Sequence, residues 1–185
     1  MRIVAGKFRG ASLDAPKGLT TRPTSDRVRQ ALFNVLEHGP ARFDFDGARV
    51  LDLFAGTGAL ALEALSRGAR YAVFIEEDAA ARGAIRRNVE TLSLTGVTKI
   101  WRRDATKLGD AGALQRFDLI FCDPPYGQGL GLRALVSAAE GGWLAPGAIA
   151  VLEERAGQEL ELPAPFELLD ARAYGDTQIL IGRAA

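Results

Sequence analysis

Between residues 48 and 153, short apolar segments alternate with longer amphipathic ones, and this alternation restricts the chain to few folds. The short segments are typical of buried strands, and the longer ones repeat their apolar positions with a helical period. The predicted strands are 49–53, 71–76, 97–101, 117–122 and 148–153, and the predicted helices are 58–67, 78–94 and 130–140. Right-handed crossovers between such units give a parallel sheet with helices on both faces, an α/β fold.

The two ends of the chain depart from this alternation. Segments 166–173 and 178–181 flank Tyr174-Gly175-Asp176 without room for a helix, which predicts an antiparallel strand pair. We expect residues 1–47 to form an extension that packs on a catalytic domain of residues 48–185, with a hairpin over 2–13 and a helix after Ser25 as N-cap. One face of this helix carries the apolar residues Val28, Ala31, Leu32, Val35 and Leu36.

Composition excludes several classes of protein. The 185 residues are 48% hydrophobic and carry 23 basic and 23 acidic side chains, which is typical of a globular chain and not of a disordered one. A single cysteine, Cys122, forms no internal disulfide and is expected in the core. With one cysteine and one histidine we expect no metal site. Neither a signal peptide nor an 18-residue apolar run is present, so we expect a cytoplasmic monomer without membrane contact.

The first motif is Asp52-Leu53-Phe54-Ala55-Gly56-Thr57-Gly58-Ala59-Leu60-Ala61, where the first strand turns into a helix. Gly56 and Gly58 permit close approach of a ligand to the main chain. Gly-x-Gly-x-x-Ala also occurs in dinucleotide-binding folds, which keeps NAD as an alternative. Asp52 would repel a pyrophosphate and attract an ammonium or sulfonium group. S-adenosylmethionine carries both cations and no phosphate, so we favour it as cofactor.

Acidic residues also end the second and third predicted strands. Glu76 lies 20 residues after Gly56, a spacing that suits a ligand of ribose hydroxyls in either cofactor. Glu77 is the less favoured alternative. Asp104 is expected to accept from the adenine amino group, or else to cap a helix. The candidate cofactor residues are Asp52, Phe54, Ala55, Gly56, Thr57, Gly58, Glu76, Glu77, Asp104 and Ala105.

The reactive motif is Asp123-Pro124-Pro125-Tyr126, directly after the fourth predicted strand. The two prolines form a rigid turn whose carbonyl groups stay free to accept hydrogen bonds. An exocyclic base amine that donates its protons to Asp123 and to the Pro124 carbonyl would be pyramidalised toward a methyl donor. Tyr126 would stack on the base, which is worth roughly 1 to 3 kcal/mol. This orienting role does not require a raised pKa for Asp123.

These motifs resemble those of class I S-adenosylmethionine-dependent methyltransferases with an (Asp/Asn)-Pro-Pro-(Tyr/Phe) motif. More narrowly, the chain is similar to the RsmD family, which methylates the N2 amine of one guanine in small-subunit (16S) ribosomal RNA. The similar segments are residues 2–7, 9–10, 22–29, 51–60, 63–69 and 123–126. Tyr126 stands where phenylalanine is common, and Ala61 replaces the third glycine of the dinucleotide pattern. The resemblance implies a Rossmann-like, seven-stranded, mostly parallel sheet with an antiparallel C-terminal strand.

The resemblance also implies a ribosomal RNA partner, within a small subunit or an assembly intermediate, and RNA contacts from the N-terminal extension. Residues 1–29 contain seven basic and two acidic side chains, whereas residues 151–185 contain three basic and seven acidic ones. A basic segment is typical of phosphate contacts. The predicted RNA-binding residues are Lys7, Arg9, Arg22, Thr24, Arg27 and Arg29. A DNA adenine-N6 methyltransferase, which would use the same reactive motif, and a non-enzymatic ribosome-binding module remain alternatives.

Overall fold

The computed structural model describes residues 1–16 and 24–185, and these form an α/β fold around one sheet. The strands are β1 Arg49–Leu53, β2 Tyr71–Ile75, β3 Thr98–Trp101, β4 Phe117–Cys122, β5 Leu144–Arg155, β6 Phe166–Tyr174 and β7 Thr177–Ala184. The helices are α1 Asp26–His38, α2 Ala59–Ser66, α3 Ala79–Thr91 and α4 Leu130–Glu140, with short 3-10 helices at Thr95–Val97 and Ala105–Lys107. No helix among these residues is long and apolar enough to cross a membrane.

The sheet has seven strands in the order β3-β2-β1-β4-β5-β7-β6. The first five are parallel to one another, and β7 runs antiparallel to both β5 and β6. The predicted mostly parallel sheet and the antiparallel C-terminal pair are therefore confirmed. Strand β5 is longer than predicted, because its pairing with β7 extends as far as Arg155 opposite Thr177.

Alternate residues of the central strands point to opposite faces of the sheet, and each face carries an apolar cluster. Val50 and Phe121 belong to the cluster beneath α1, α2 and α3, whereas Leu51 and Cys122 belong to the cluster beneath α4. Cys122 is buried, as expected of a core cysteine, and burial raises the pKa of its thiol well above the usual value. It faces away from the side of the sheet that holds α1.

The apolar residues of the extension that the structure describes, within 1–16 and 24–47, join the cluster under α2 and form no separate core. Ile3, Leu13 and Phe33 lie in that cluster. The predicted hairpin is reduced to one antiparallel bridge between Arg2 and Ser12. Ser25 is the N-cap of α1 as predicted, with its hydroxyl accepting from the Val28 N–H. Of the expected apolar face of α1, Leu32 and Leu36 are buried and Val28 and Val35 pack against the same cluster, while Arg29 and Phe33 are buried in addition.

A buried carboxylate on α2 fixes the extension. Glu63 accepts hydrogen bonds from the Val4 N–H at 2.8 Å and from the Ala5 N–H at 3.0 Å. The same carboxylate pairs with Arg29 at 3.4 Å and with Arg67 at 3.1 Å, and the side chains of Glu63 and Arg29 are fully buried. A buried charge is tolerated only when it is paired and hydrogen-bonded, so these contacts position the extension on α2.

Candidate active site

Five parallel strands end at one edge of the sheet, and each brings an acidic residue there. In sheet order, from β3 to β5, these are Asp104, Glu76, Asp52, Asp123 and Glu153. Open α/β sheets bind their ligands in the crevice at this edge. The four acids expected from the sequence are thus collected at one place, and Glu153 is an addition.

The loop between β1 and α2 carries three residues with left-handed backbone conformations. Phe54, Gly56 and Gly58 have φ angles of 57°, 60° and 80°. A Cβ atom at Gly56 would meet nothing within 4 Å, so this residue borders open space. A Cβ at Gly58 would lie 3.0 Å from Phe74 Cε1. Only Gly56 therefore leaves room for a ligand, and Gly58 instead lets the loop pack against β2.

Glu76 connects this loop to the end of β2. Its Oε1 accepts from the Gly56 N–H at 2.8 Å, and its Oε2 accepts from the Asp78 N–H at 3.0 Å. A carboxylate has about four acceptor positions, so two remain for other donors such as ribose hydroxyls. Glu77 is exposed, and no contact between its side chain and the loop is observed. The preference for Glu76 over Glu77 as ribose ligand is therefore supported by geometry and stays a prediction.

Asp52 is 1% exposed and lies beneath the first turn of α2. Its Oδ2 accepts from the Ala61 N–H at 3.3 Å. Burial raises the pKa of Asp52 well above the usual value, and the negative charge of Glu76 raises it further. The sequence did not indicate this enclosed position. An influence of Asp52 on a bound cation would act through the loop, as a charge, and not by direct contact.

Asp104 caps the short 3-10 helix Ala105–Lys107. Its Oδ1 accepts from the Thr106 hydroxyl at 2.7 Å and from the Thr106 N–H at 2.8 Å, and these bonds hold the pKa of Asp104 below its usual range. Ala105 is buried. The capping alternative for Asp104 is therefore observed. Oδ1 accepts both of these hydrogen bonds, so Oδ2 is the oxygen that would accept from the adenine amino group in the predicted contact.

The reactive motif begins at the carboxyl end of β4, next to β1. The Asp123 N–H points at the Leu53 carbonyl, with the nitrogen 3.5 Å from the oxygen. The Tyr126 hydroxyl lies 2.9 Å from Thr177 Oγ1 and 3.4 Å from Glu153 Oε1, so one edge of the ring is anchored to β7 and β5. Burial raises the pKa of Tyr126 to about 12.

Glu153 lies beside Asp123 because of the register between β4 and β5. Cys122 is paired with Leu152, so the next residues along these parallel strands are Asp123 and Glu153, whose side chains share a face. The two carboxyl groups are close enough to interact directly and to share a hydrogen bond when one of them is protonated. Sequence reasoning missed Glu153, although the rule that identified the other acids, an acid at a strand end, applies to it as well.

Burial raises the pKa of both members of this carboxyl pair, and repulsion raises that of Asp123 further. Burial raises the pKa of Asp123 well above the usual value, and the negative charges of Glu153 and Asp52 raise it further. Burial also raises the pKa of Glu153, although hydrogen bonds from Thr24 and Tyr126 oppose that shift. An orienting role for Asp123 required no such shift, so the raised pKa is a property that only the structure reveals.

The predicted RNA-binding residues do not form one surface. Lys7, Arg9 and Arg27 are exposed. Thr24 is directed into the site, where its hydroxyl donates to Glu153 at 3.1 Å. Arg22 lies outside the described residues. Among residues 1–16 and 24–185, no group of histidine, cysteine, aspartate and glutamate side chains could hold a metal ion.

Arg29 contradicts the expectation that it contacts phosphates. Its side chain is fully buried, where it pairs with Glu63 and with Asp26 and donates to the Arg2 carbonyl. The basic residue is on the inner face of α1 because Glu63 supplies a buried counter-charge there. Arg27, two residues earlier in the same helix, points to solvent instead.

Lys7 and Arg9 lie at the end of α2 remote from the glycine loop. The Lys7 N–H donates to the carbonyl of Ser66, the last residue of α2, at 2.8 Å. With eight residues at about 1.5 Å each, that end is about 12 Å from the start of the helix. Lys7 and Arg9 are therefore placed at a distance from the reactive motif, whereas Arg27 follows Thr24 closely.

A comparison with protein families identifies the chain. A family model described as Conserved hypothetical protein 95 matches residues 1–183. Ribosomal RNA small subunit methyltransferase D of Escherichia coli strain K12 is 37% identical over 176 residues, which are 95% of this chain and 85% of that protein. The chain belongs to the RsmD family. A relative of the same name from Haemophilus influenzae is 32% identical over 95% of this chain and 89% of its own length.

Solved structures agree with the RsmD fold. The protein yhhF from Escherichia coli matches with a TM-score of 0.83 and 34% identity, covering 100% of this chain and 97% of that chain. The Thermus thermophilus 16S rRNA N2 G1207 methyltransferase RsmC, solved with AdoMet and guanosine, has a TM-score of 0.65 at 24% identity. The match covers 90% of this chain and 45% of the RsmC chain, and it shows that the two proteins share the class I methyltransferase fold.

Proposed function

We propose that this protein transfers a methyl group from S-adenosylmethionine to the exocyclic N2 amine of a guanine in small-subunit ribosomal RNA. The observation that carries the proposal is the position of Asp123, which follows β4 directly beside the strand that leads into the glycine loop. A cofactor at that loop and a base at the reactive motif would be neighbours. Direct transfer needs this adjacency, because correct placement can supply up to about 7 to 11 kcal/mol of the barrier.

The residues around the loop fit the cofactor. Gly56 borders open space and Glu76 retains acceptor positions for hydroxyl groups, whereas the raised pKa of Asp52 makes it a weaker source of negative charge than the sequence indicated. When bound, S-adenosylmethionine supplies an electrophilic methyl group on a sulfonium. The remaining candidate contacts are the backbone of Phe54, Ala55 and Thr57 in the same loop and the Asp104–Ala105 turn. Negative charge at this edge favours a sulfonium over a pyrophosphate.

On the substrate side, the chain positions the amine and the ring of the base. Asp123 and the Pro124 carbonyl accept the two amine protons, which draws the nitrogen lone pair out of conjugation with the ring. Pro124 and Pro125 hold the turn rigid. Tyr126, whose hydroxyl is anchored by Thr177 and Glu153, presents its ring for stacking on the base.

The names of the relatives support RNA as the substrate, since those from Escherichia coli and Haemophilus influenzae are both called Ribosomal RNA small subunit methyltransferase D. Exposed Arg27, next to the site, would contact phosphates near the target base. Lys7 and Arg9, at the other end of α2, would contact RNA farther away. Other ribosomal components would build the shape in which a protein of this size meets its target nucleotide.

The test is transfer of a labelled methyl group onto free RNA and onto small subunits from cells that lack the enzyme, with the product identified by nucleoside mass spectrometry. We expect N2-methylguanine, formed at a single position. N6-methyladenine in the product would replace this proposal by the DNA-type adenine reaction. Absence of S-adenosylmethionine binding in calorimetry would instead favour a non-enzymatic ribosome-binding module.

A variant tests the proposed role of the reactive motif. Asp123→Ala removes one acceptor of the amine but leaves the glycine loop intact. We expect turnover to fall by at least about 100-fold, while the Kd for S-adenosylmethionine stays within about twofold of wild type. Normal turnover in this variant would exclude an orienting role for Asp123.

A further inference from the structure

We propose that Glu153 is a positioning residue for the methyl transfer, which acts through Asp123 and makes its carboxylate the destination of the proton released from the amine. This inference rests on the proposed function. Glu153 is 5% exposed and lies one strand away from the reactive motif, on β5. It belongs to neither the glycine loop nor the reactive motif, and its contacts are what assign the role.

The Glu153 carboxyl group is the centre of a hydrogen-bonded cluster. It accepts from the Thr24 hydroxyl at 3.1 and 3.3 Å and from the Tyr126 hydroxyl at 3.4 Å, and the strand register places it beside the Asp123 carboxyl group. The cluster thus joins the start of α1, the end of β4 and the reactive loop. Two carboxyl groups in such contact favour a single shared proton, because like charges at this distance disfavour full ionisation.

The donors in the cluster determine which carboxyl group takes the proton. The Thr24 hydroxyl lowers the pKa of both carboxyl groups, whereas the Tyr126 hydroxyl donates to Glu153, and this bond stabilises the ionised form of Glu153. The shared proton is therefore favoured on Asp123, with Glu153 as its acceptor. Without Glu153, Asp123 would lose both the repulsion and the acceptor that favour its protonated form.

This arrangement accounts for the proton in the transfer step. As the bond between the amine nitrogen and the methyl carbon forms and the carbon–sulfur bond breaks, the sulfonium becomes a neutral thioether and the nitrogen becomes cationic. The nitrogen then loses one proton to the Asp123 carboxylate, which donates it in a hydrogen bond to Glu153. A carboxylate whose proton affinity is raised toward neutral pH is suited to this task.

The proton can leave the pair through a small cavity. A cavity of about 160 Å³ adjoins Glu153 and Tyr126, with Tyr174, Asp176 and Thr177 on its other side. Such a volume accommodates several waters, which could carry the proton to solvent. Besides these groups, Asp52 faces Asp123 from β1, and Cys122 precedes it on β4. Asp52 and Thr24 also shift the pKa of Asp123, so the test must change Glu153 alone.

The test is the pH profile of kcat/KM for RNA methylation by wild type and Glu153→Gln. Asp123 must be ionised to accept from the amine, so its protonation sets the acid limb of the profile. We expect the acid limb of Glu153→Gln to lie roughly one pH unit or more below that of wild type, because the repelling charge is gone. Glu159→Gln, the same change at an exposed glutamate after β5, should leave the limb in place.

A second variant, Thr24→Val, is expected to shift the acid limb in the opposite direction. It also keeps the proposal testable if Glu153→Gln does not fold. Thr24→Val removes the hydroxyl donor that lowers the pKa of both carboxyl groups, so its acid limb should lie at higher pH. If Glu153→Gln folds and binds S-adenosylmethionine but its acid limb coincides with that of wild type, the proposal is overturned. If Glu153→Gln does not fold, an unmoved limb in Thr24→Val would overturn it.

Carboxyl carbon NMR of the RNA-free protein separates this inference from the proposed function. We expect the Asp123 signal of wild type to titrate in two coupled steps, and that of Glu153→Gln in one step at lower pH. Failure of wild type to methylate RNA would refute the proposed function and leave this titration to decide the coupling. Identical Asp123 titrations in the two proteins would refute the coupling even if RNA is methylated.

Discussion

Glu76 Oε1 lies 2.8 Å from the main-chain nitrogen of Gly56, so a side chain at the end of β2 holds the loop that follows β1. This hydrogen bond links the loop after β1 to the carboxyl end of the neighbouring parallel strand β2. It leaves the open side of Gly56 unobstructed. The same carboxylate therefore positions the loop and can accept from a ligand bound there.

This relationship predicts different effects for two adjacent glutamates. Glu76→Gln keeps an oxygen for the Gly56 N–H but loses the charge that would bind ribose hydroxyls. We expect S-adenosylmethionine to bind roughly 10- to 150-fold more weakly, because hydrogen bonds to a charged group are worth about 1.5 to 3 kcal/mol. Glu77→Gln is the matched control and should stay within about twofold. Calorimetric titration measures both, and equal losses would refute the assignment.

Asp52 predicts a dependence of stability on pH. Burial raises its pKa in the folded state, so the folded protein holds the proton more tightly than the unfolded chain. Its contribution to stability is therefore greatest below the ordinary aspartate pKa of about 3.9 and declines as pH rises toward the raised folded value. Asp52→Asn removes this decline, so its free energy of unfolding should exceed that of wild type at neutral pH.

Urea denaturation without cofactor between pH 4 and pH 8 measures this difference. We expect the difference between the two stabilities to shrink as pH falls toward 4, because it disappears only below the ordinary aspartate pKa of about 3.9, where Asp52 is protonated in both states. Glu90→Gln, on the exposed side of α3, should follow the wild-type curve. An Asp52→Asn curve parallel to wild type would show that this carboxylate is not destabilised by burial.

Tyr126 allows its ring and its hydroxyl to be tested separately. Tyr126→Ala removes the proposed stacking platform, so we expect the RNA complex to weaken by roughly 1 to 3 kcal/mol, about fivefold to 150-fold. Tyr126→Phe loses only the contacts with Thr177 and Glu153 and should bind RNA much more tightly than the alanine variant. RNA binding by filter or fluorescence assay measures this, and an unaffected alanine variant would leave Tyr126 a structural residue.

Two arginines of α1 predict opposite outcomes. Arg29→Ala leaves the buried Glu63 without one of its partners, which should cost about 3 to 5 kcal/mol of unfolding free energy. Arg27→Ala, on the exposed side, should change stability by less than about 0.5 kcal/mol. It should instead lower the slope of log RNA affinity against log salt by about 0.7 to 0.9. An unchanged slope for Arg27→Ala would remove this residue from the RNA surface.

The strands, the helices of the α/β unit and the loop motifs followed from the sequence because their signals are local. Period and turn residues placed β4 and α4 at their observed bounds, and Ser25 was identified as the N-cap of α1. An acid at a strand end was also sufficient to bring Glu76 and Asp123 to one edge of the sheet. In a parallel sheet the strand direction alone decides that edge.

The two glycines of the loop show where local signals end. Gly56 and Gly58 look equivalent in the sequence, and both adopt left-handed backbone conformations. Their difference arises from what surrounds them, since Gly58 contacts Phe74 and Gly56 borders open space. A motif specifies backbone freedom, whereas the use made of it depends on residues distant in the chain.

The charged residues show the same difference between what local sequence predicts and what distant residues decide. The sequence alone determined the fold class and the approximate ends of most strands, and it predicted the residues that could meet a cofactor and a base. Only the tertiary structure decided that Arg29 is buried against Glu63 and that Glu153 lies beside Asp123. The physical reason is that the environment of a charge depends on its partners, and these partners are 34 and 30 residues away along the chain. Chain folding and strand register, not composition, bring such pairs together.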